Sequence, residues 1–147
     1  MNEVIDLTYG AKIEPDGEGY LVTFRDIENA FTAGDTWDEA VFNAQEVLDL
    51  ILLDRLEKDE EIPMPSVFKN GEVAIAVSPE VAAPGLLHIM RISNHRSMAD
   101  VARIMGVSYQ SYQRLESGKN LTMKSLKKAA SALGSIVEIR LRKIQAL

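Results

Sequence analysis

Ser97-Met98-Ala99-Asp100-Val101-Ala102-Arg103-Ile104-Met105-Gly106-Val107-Ser108-Tyr109-Gln110-Ser111-Tyr112-Gln113-Arg114-Leu115-Glu116-Ser117-Gly118-Lys119 says more about this chain than any other stretch. Ser97 has an acid three residues on, Asp100, and is placed to cap a helix start. Ala102 is small where two helices would cross closely, and Gly106 sits where a tight turn needs positive φ. Ser108 is then positioned to cap a second short helix. Tyr112 and Leu115, three apart, point inward, which leaves Tyr109, Gln110, Gln113 and Arg114 on the outer face. One of the two tyrosines is therefore core and the other exposed.

Upstream of this pair, Leu86, Leu87, Ile89, Met90 and Ile92 predict another amphipathic helix. Downstream, Lys124, Lys127 and Lys128 fit either phosphate contacts or a solvated helix face. After Gly134, Val137, Ile139 and Leu141 alternate with Glu138, Arg140 and Arg142, which predicts a strand over 136–144. A lone strand exposes unpaired backbone groups. The same strand from a second copy would pair with it and make a dimer; the chain's own N-terminal sheet is the alternative partner.

Charge divides the chain at the same place as pattern. Residues 1–80 hold 19 Asp and Glu against 5 Lys and Arg, a net of −14, and residues 81–147 hold 3 against 11, a net of +8. A basic half suits a polyanion and an acidic half suits solubility or a basic partner. With no cysteine, neither disulfides nor thiolate metal sites are available. The N-terminus has no basic segment followed by an apolar run, and no apolar stretch approaches the roughly 20 residues of a membrane span, so a cytoplasmic protein is expected.

In the acidic half Ile5, Leu7, Tyr9, Ala11 and Ile13 alternate as a half-buried strand, Pro15-Asp16-Gly17 turns the chain, and Tyr20, Val22 and Phe24 alternate again. A third short strand fits near Ala30 to Thr32 before Gly34 breaks it. Thr36 and Glu39 fit a capping box. From Trp37, the series Ala40, Val41, Ala44, Val47, Leu48, Ile51, Leu52 and Leu56 makes a helical stripe whose opposite face is acidic. Pro63 and Pro65 stop it, and Val73 to Val77 reads as a strand covered on both sides, central or beside the first. The order is β-β-β-α-β, an α+β fold, with Pro79 and Pro84 marking 78–84 as a boundary.

The segment Ser97 to Lys119 resembles the Cro/phage-repressor class of helix-turn-helix, including the ending Leu115-Glu116-Ser117-Gly118-Lys119. The resemblance implies a recognition helix over Ser108 to Ser117, with Ser108, Tyr109, Gln110, Ser111, Gln113 and Arg114 against DNA and Lys119 and Asn120 on its phosphates. Met98 departs from the class, which often has a polar residue near there. The acidic half, through Gly19-Tyr20-Leu21-Val22-Thr23-Phe24-Arg25-Asp26-Ile27, Thr32-Ala33-Gly34-Asp35-Thr36 with Glu39-Ala40, and Ile62-Pro63-Met64-Pro65-Ser66, resembles the HicB antitoxin family. That resemblance implies a partial RNase H-like domain over 1–80 that neutralises a small basic mRNA-cleaving toxin of the HicA type. It also implies that residues 81–147, a DNA-binding and dimerisation domain, repress the operon the two share. Asp16, Glu18, Tyr20 and Asp26, around the first hairpin, are the suggested toxin contacts.

An RNase H-like core raises a two-metal nuclease, with Asp6, Glu14, Asp26, Glu28 and Asp35 as possible ligands. They fall at strand ends or on the solvent side of the alternation, where acids are ordinarily just solvated. His88, in a helix, and His95, in a loop, have no nearby partner in sequence for nucleophilic or metal chemistry. No enzyme activity, metal or cofactor is expected. The competing function is a stand-alone regulator whose N-terminal domain senses a small ligand.

Overall fold

The structure, a computed structural model, describes residues 3–143. The N-terminal half forms strands β1 (Thr8–Asp16), β2 (Gly19–Phe24) and β3 (Phe31–Gly34), helix α1 (Trp37–Glu57) and strand β4 (Val73–Ala76), in the expected β-β-β-α-β order. All pairings are antiparallel and the strands lie in the order β3-β2-β1-β4. One face is sealed by α1, whose Ala40, Ala44, Leu48, Leu52 and Leu56 are buried at every fourth position. The two alanines let the helix lie close to the sheet, and the leucines fill the space beyond, beside Tyr9, Val22 and Ile75.

Three local expectations change. Gly34 is the last residue of β3, paired with Tyr20, rather than a break just beyond it: a Cβ there would meet the Ala40 backbone nitrogen at 2.4 Å, so only glycine lets α1 start against the sheet. The capping box at α1 is half made, with Thr36 Oγ1 accepting from the Glu39 N–H at 3.1 Å. β4 sits at the sheet edge beside β1, and only Ile75 in it is fully buried while Ala74 is exposed. An unbroken apolar run is thus no proof of two covered faces; here two of its residues are alanines, which cost little to expose.

The connector between α1 and β4 has no regular structure but is pinned. Ile62 is buried, the Tyr9 hydroxyl donates to the Pro63 carbonyl at 2.6 Å, and the Asp26 carboxylate accepts from the Ser66 N–H at 2.8 Å and from its hydroxyl. Arg25 donates to Glu72 at 2.8 and 3.0 Å and to Val67 O at 3.0 Å.

The C-terminal half is helical: α2 (Pro79–Ser93), α3 (Met98–Met105), α4 (Tyr109–Glu116) and α5 (Met123–Ala132). α2 begins earlier than its apolar pattern predicts and runs straight through Pro84. Pro79 stands at its first position, where a missing N–H costs nothing, and Asp49 of α1 accepts from both the N–H and the hydroxyl of the preceding Ser78. α2 also belongs to both cores, since Val81 and Ile89 pack with α1 and the sheet whereas Leu87 packs with Val101, Tyr112 and Ala129. The two halves are thus joined by a shared helix rather than a tether.

The predicted C-terminal strand does not form within one chain. Residues 135–143 take no regular structure, and the end of the expected span lies outside the described residues. Among the described residues the segment does not join the chain's own N-terminal sheet, and toward that half it makes the Arg140 to Asp6 pair at 3.5 Å. Ile136, Ile139 and Leu141 are 90, 70 and 95% exposed.

Candidate functional site

The helix pair around Gly106 is built by its caps. Ser97 accepts from the Asp100 N–H while Asp100 accepts from the Ser97 N–H, both at 3.0 Å, a complete capping box. Gly106 ends α3 in the left-handed region at φ 72°, and Val107 N–H bonds back to Ala102 O at 3.0 Å, closing the turn. Ser108 then caps α4 by accepting from the Ser111 N–H at 3.1 Å. These side chains satisfy helix-end donors that would otherwise be orphaned at an exposed turn.

Helical phase divides the α4 side chains as the sequence implies. Tyr112 is fully buried, and Tyr109, Gln110, Ser111, Gln113 and Arg114 are exposed together on one face. Lys119 and Asn120 are exposed in the turn beyond, where Asn120 adopts φ 57° and Lys119 N–H bonds to Arg114 O at 2.8 Å. Met98, the departure from the repressor pattern, is buried with Val101 and Ala102, so it packs instead of facing a phosphate. Lys124, Lys127 and Lys128 lie exposed on α5. Glutamines and arginine projecting from a short, rigid helix can form paired hydrogen bonds to base edges, and the flanking lysine can neutralise phosphate.

Beneath α4 lies a buried polar cluster that the sequence reading missed. Glu116, 1% exposed, accepts from Arg91 Nε at 2.9 and 3.0 Å and from Arg91 Nη2 at 2.7 Å, and its Oε1 lies 2.8 Å from His88 Nδ1. Arg91 Nη1 donates to Arg96 O at 3.1 Å, and its Nη2 also reaches Asp59 Oδ1 at 2.8 Å. Burial alone would raise the Glu116 pKa, but the hydrogen bonds from His88 and Arg91 and the Arg91 charge outweigh it and hold the carboxyl below its ordinary range. Burial pushes the Tyr112 hydroxyl up, as does the neighbouring Glu116 charge. The signal was present: Glu116 stands four residues after Tyr112, on the buried face of α4, where a carboxylate requires a partner.

Asp59, His88 and Glu116 are the only carboxylate or histidine grouping with metal-ligand spacing among the described residues. The Arg91 guanidinium already lies between Glu116 and Asp59 and supplies the positive charge there. The acids considered for a two-metal centre, Asp6, Glu14, Asp26, Glu28 and Asp35, form no such grouping. Asp6 accepts from Thr8, Glu14 pairs with Lys12 at 3.0 Å, and Asp26 is taken by Ser66 and Arg25. His95 is exposed in the turn after α2.

The suggested partner residues separate into two places. Asp16, Glu18 and Tyr20 line an open acidic depression with Asp35 and Glu39 at the start of α1. There the Tyr20 and Trp37 rings meet edge to face at 5.6 Å. Asp26 lies past the opposite end of β2, a strand of about 20 Å at the usual rise per residue, with its carboxylate committed to the connector.

Comparison with known proteins agrees with both halves. Residues 8–83 match the model of the HicB-like antitoxin of bacterial toxin–antitoxin systems, and residues 87–139 match a helix-turn-helix model. Antitoxin HicB 2 of Photorhabdus laumondii subsp. laumondii is 35% identical over 135 residues, covering 91% of this chain and 96% of that protein. Antitoxin HicB of Escherichia coli K12 is 33% identical over 121 residues, covering 82% and 87%. A 14.9 kDa protein of Haemophilus phage HP1 is 40% identical over 57 residues, 39% of this chain and 43% of that one. This family is one of antitoxins rather than enzymes. Matched over more than half its length by the family model and nearly end to end by a relative, the chain belongs to the HicB-like antitoxin family, in a form that carries a helix-turn-helix behind the antitoxin domain.

Proposed function

We propose that this protein neutralises a small basic toxin of the HicA type with its acidic half and represses the shared operon by reading operator DNA with α4. The observation that carries the reading is the coexistence in one chain of an antitoxin domain of net −14 with an unobstructed polar recognition face on α4 in a half of net +8. Gln110 and Gln113 would read bases, Tyr109, Ser108, Ser111 and Arg114 would contact bases or phosphates, and Lys119 and Asn120 would fix the register on the backbone. Asp16, Glu18 and Tyr20 offer the toxin an acidic surface, with Asp26 bracing the far side of the same sheet. The four-stranded sheet backed by α1 suits the partial RNase H-like layout implied by the family, and the division of labour falls at residues 1–80 and 81–147, with α2 shared.

Repression of an operon calls for a dimer. The exposed Ile136, Ile139 and Leu141 would be covered if this segment paired as a strand with a second copy, presenting two recognition helices about one DNA turn apart to a palindromic operator in the cytoplasm. The test is to purify the chain with the neighbouring small gene's product. Co-purification, inhibition of RNA cleavage, and salt-dependent binding to the upstream DNA support the reading. A chain that binds that DNA but no neighbouring gene product supports a ligand-sensing regulator instead.

A further inference from the structure

The Asp59 contact joins what the functional division separates. Arg91 and His88 are on α2 and Glu116 is in the last turn of α4, but Asp59 belongs to the turn that follows the antitoxin domain's long helix. Its carboxylate lies 2.8 Å from Arg91 Nη2, the same nitrogen that bonds Glu116, and 3.5 Å from His88 Nδ1. It is not aimed by a long flexible side chain. Asp59 adopts φ 51°, fixed by its own N–H bonding to Leu56 O at 3.3 Å and the Glu60 N–H bonding to Arg55 O at 2.8 Å.

We infer that Asp59 is a positioning residue that couples the partner-binding face of the antitoxin domain to the recognition helix through Arg91 and Glu116. This rests on the function proposed above. α1 begins at the acidic depression, which Glu39 lines together with Asp16 and Glu18, and ends just before Asp59. Its 21 residues make a rod of about 30 Å at the rise of an α-helix. A basic protein seated on that depression bears on one end of the rod, and any shift at the other end moves the carboxylate holding Arg91. Arg91 is buried and hydrogen-bonded at every nitrogen, so it cannot relax into solvent; the displacement passes to Glu116 and thus to the tilt of α4. The other polar link from α1 to α2, Asp49 with Ser78, lies at the start of α2, and Val81 and Ile89 pack toward α1 through apolar contacts; the polar link that runs on to Glu116 is the one from Asp59. The physical claim is a coupling free energy, which acts on both binding events equally.

The experiment measures operator affinity of the full chain with and without saturating toxin, in the parent and in Asp59→Gly and Asp59→Asn. Glycine is at home at φ 51° and removes the carboxylate without backbone strain; asparagine also tolerates that φ and keeps an acceptor for Arg91. A thermal scan checks that each variant folds. The parent should show a toxin-dependent change in operator affinity of at least about fivefold, within the usual range for coupled sites. Asp59→Gly should shrink that change to within about twofold while its toxin affinity stays at the parent value, and Asp59→Asn should retain most of it. A residue with a merely structural role would alter stability and leave the ratio alone. A parent ratio of one, or an undiminished ratio in folded Asp59→Gly, overturns the proposal. A parent that binds no operator or no toxin overturns the functional reading itself, and that failure is seen without any variant.

Discussion

The two halves solve opposite problems with opposite means. The N-terminal half is a sheet sealed by a helix, its interior almost wholly apolar and its surface strongly acidic. The C-terminal half has short helices, and much of its definition comes from polar groups: Ser97, Ser108 and Thr122 as caps, and the Arg91–Glu116 pair under α4. An apolar layer resists deformation over a broad area, which suits a surface for another protein. A helix fixed at its start by a serine and at its end by a buried ion pair has one defined tilt, which suits the reading of base edges.

The largest expected effects test whether the halves are independent. Arg91→Met strips the buried Glu116 carboxylate of its guanidinium partner, leaving His88 beside it, and should cost about 3–5 kcal/mol in denaturant unfolding, with operator binding lost. Leu48→Ala opens a cavity under α1 and should cost about 2–5 kcal/mol. Because α2 packs in both cores, each variant should shift one common transition; two separate transitions would break the view of a shared helix.

The next effects sharpen the comparison at the surface. Gln110→Ala and Gln113→Ala should each cost about 1–3 kcal/mol and relax preference at one base position. Asp16→Asn with Glu18→Gln should weaken toxin binding and leave operator affinity unchanged. Lys119→Ala should weaken all DNA sequences alike and reduce the salt slope by about one.

The smallest effect is on the connector. Glu72 is held down to about 2 by the Arg25 hydrogen bond and the Lys69 N–H, from an ordinary 4.5. Its folded-state pKa is depressed, so its contribution is complete above pH 4.5 and fades as pH falls toward 2. The stretch from Pro63 to Glu72 should then become sensitive to an acid-active protease before the sheet unfolds.

How much of this was legible in the sequence follows the same division. Caps and turns announce themselves because only a few residue types perform them, so α3, α4 and the outward residues between Tyr109 and Arg114 could be placed without coordinates. The β-β-β-α-β order was equally plain from periodicity. The edge position of β4 was not, since four apolar residues carry no information on how many faces are covered. The start of α2 was hidden by prolines that read as breakers but stand where a helix tolerates them. The cluster of Asp59, His88, Arg91 and Glu116 was invisible as a group because its members come from three elements; only Glu116 on the inward face of α4 hinted at it. The proposed toxin surface has no such hint, because acids on a flat sheet end look alike whether or not they meet a partner.

The most direct test of the central claim is growth of cells expressing the neighbouring small gene alone, with the full chain, and with the full chain carrying Gln110→Ala and Gln113→Ala. The account predicts arrest by the small gene, relief by the parent chain, and equal relief by the variant although it no longer binds the operator. Arrest that neither chain relieves, or relief that disappears with the two glutamines, would contradict it.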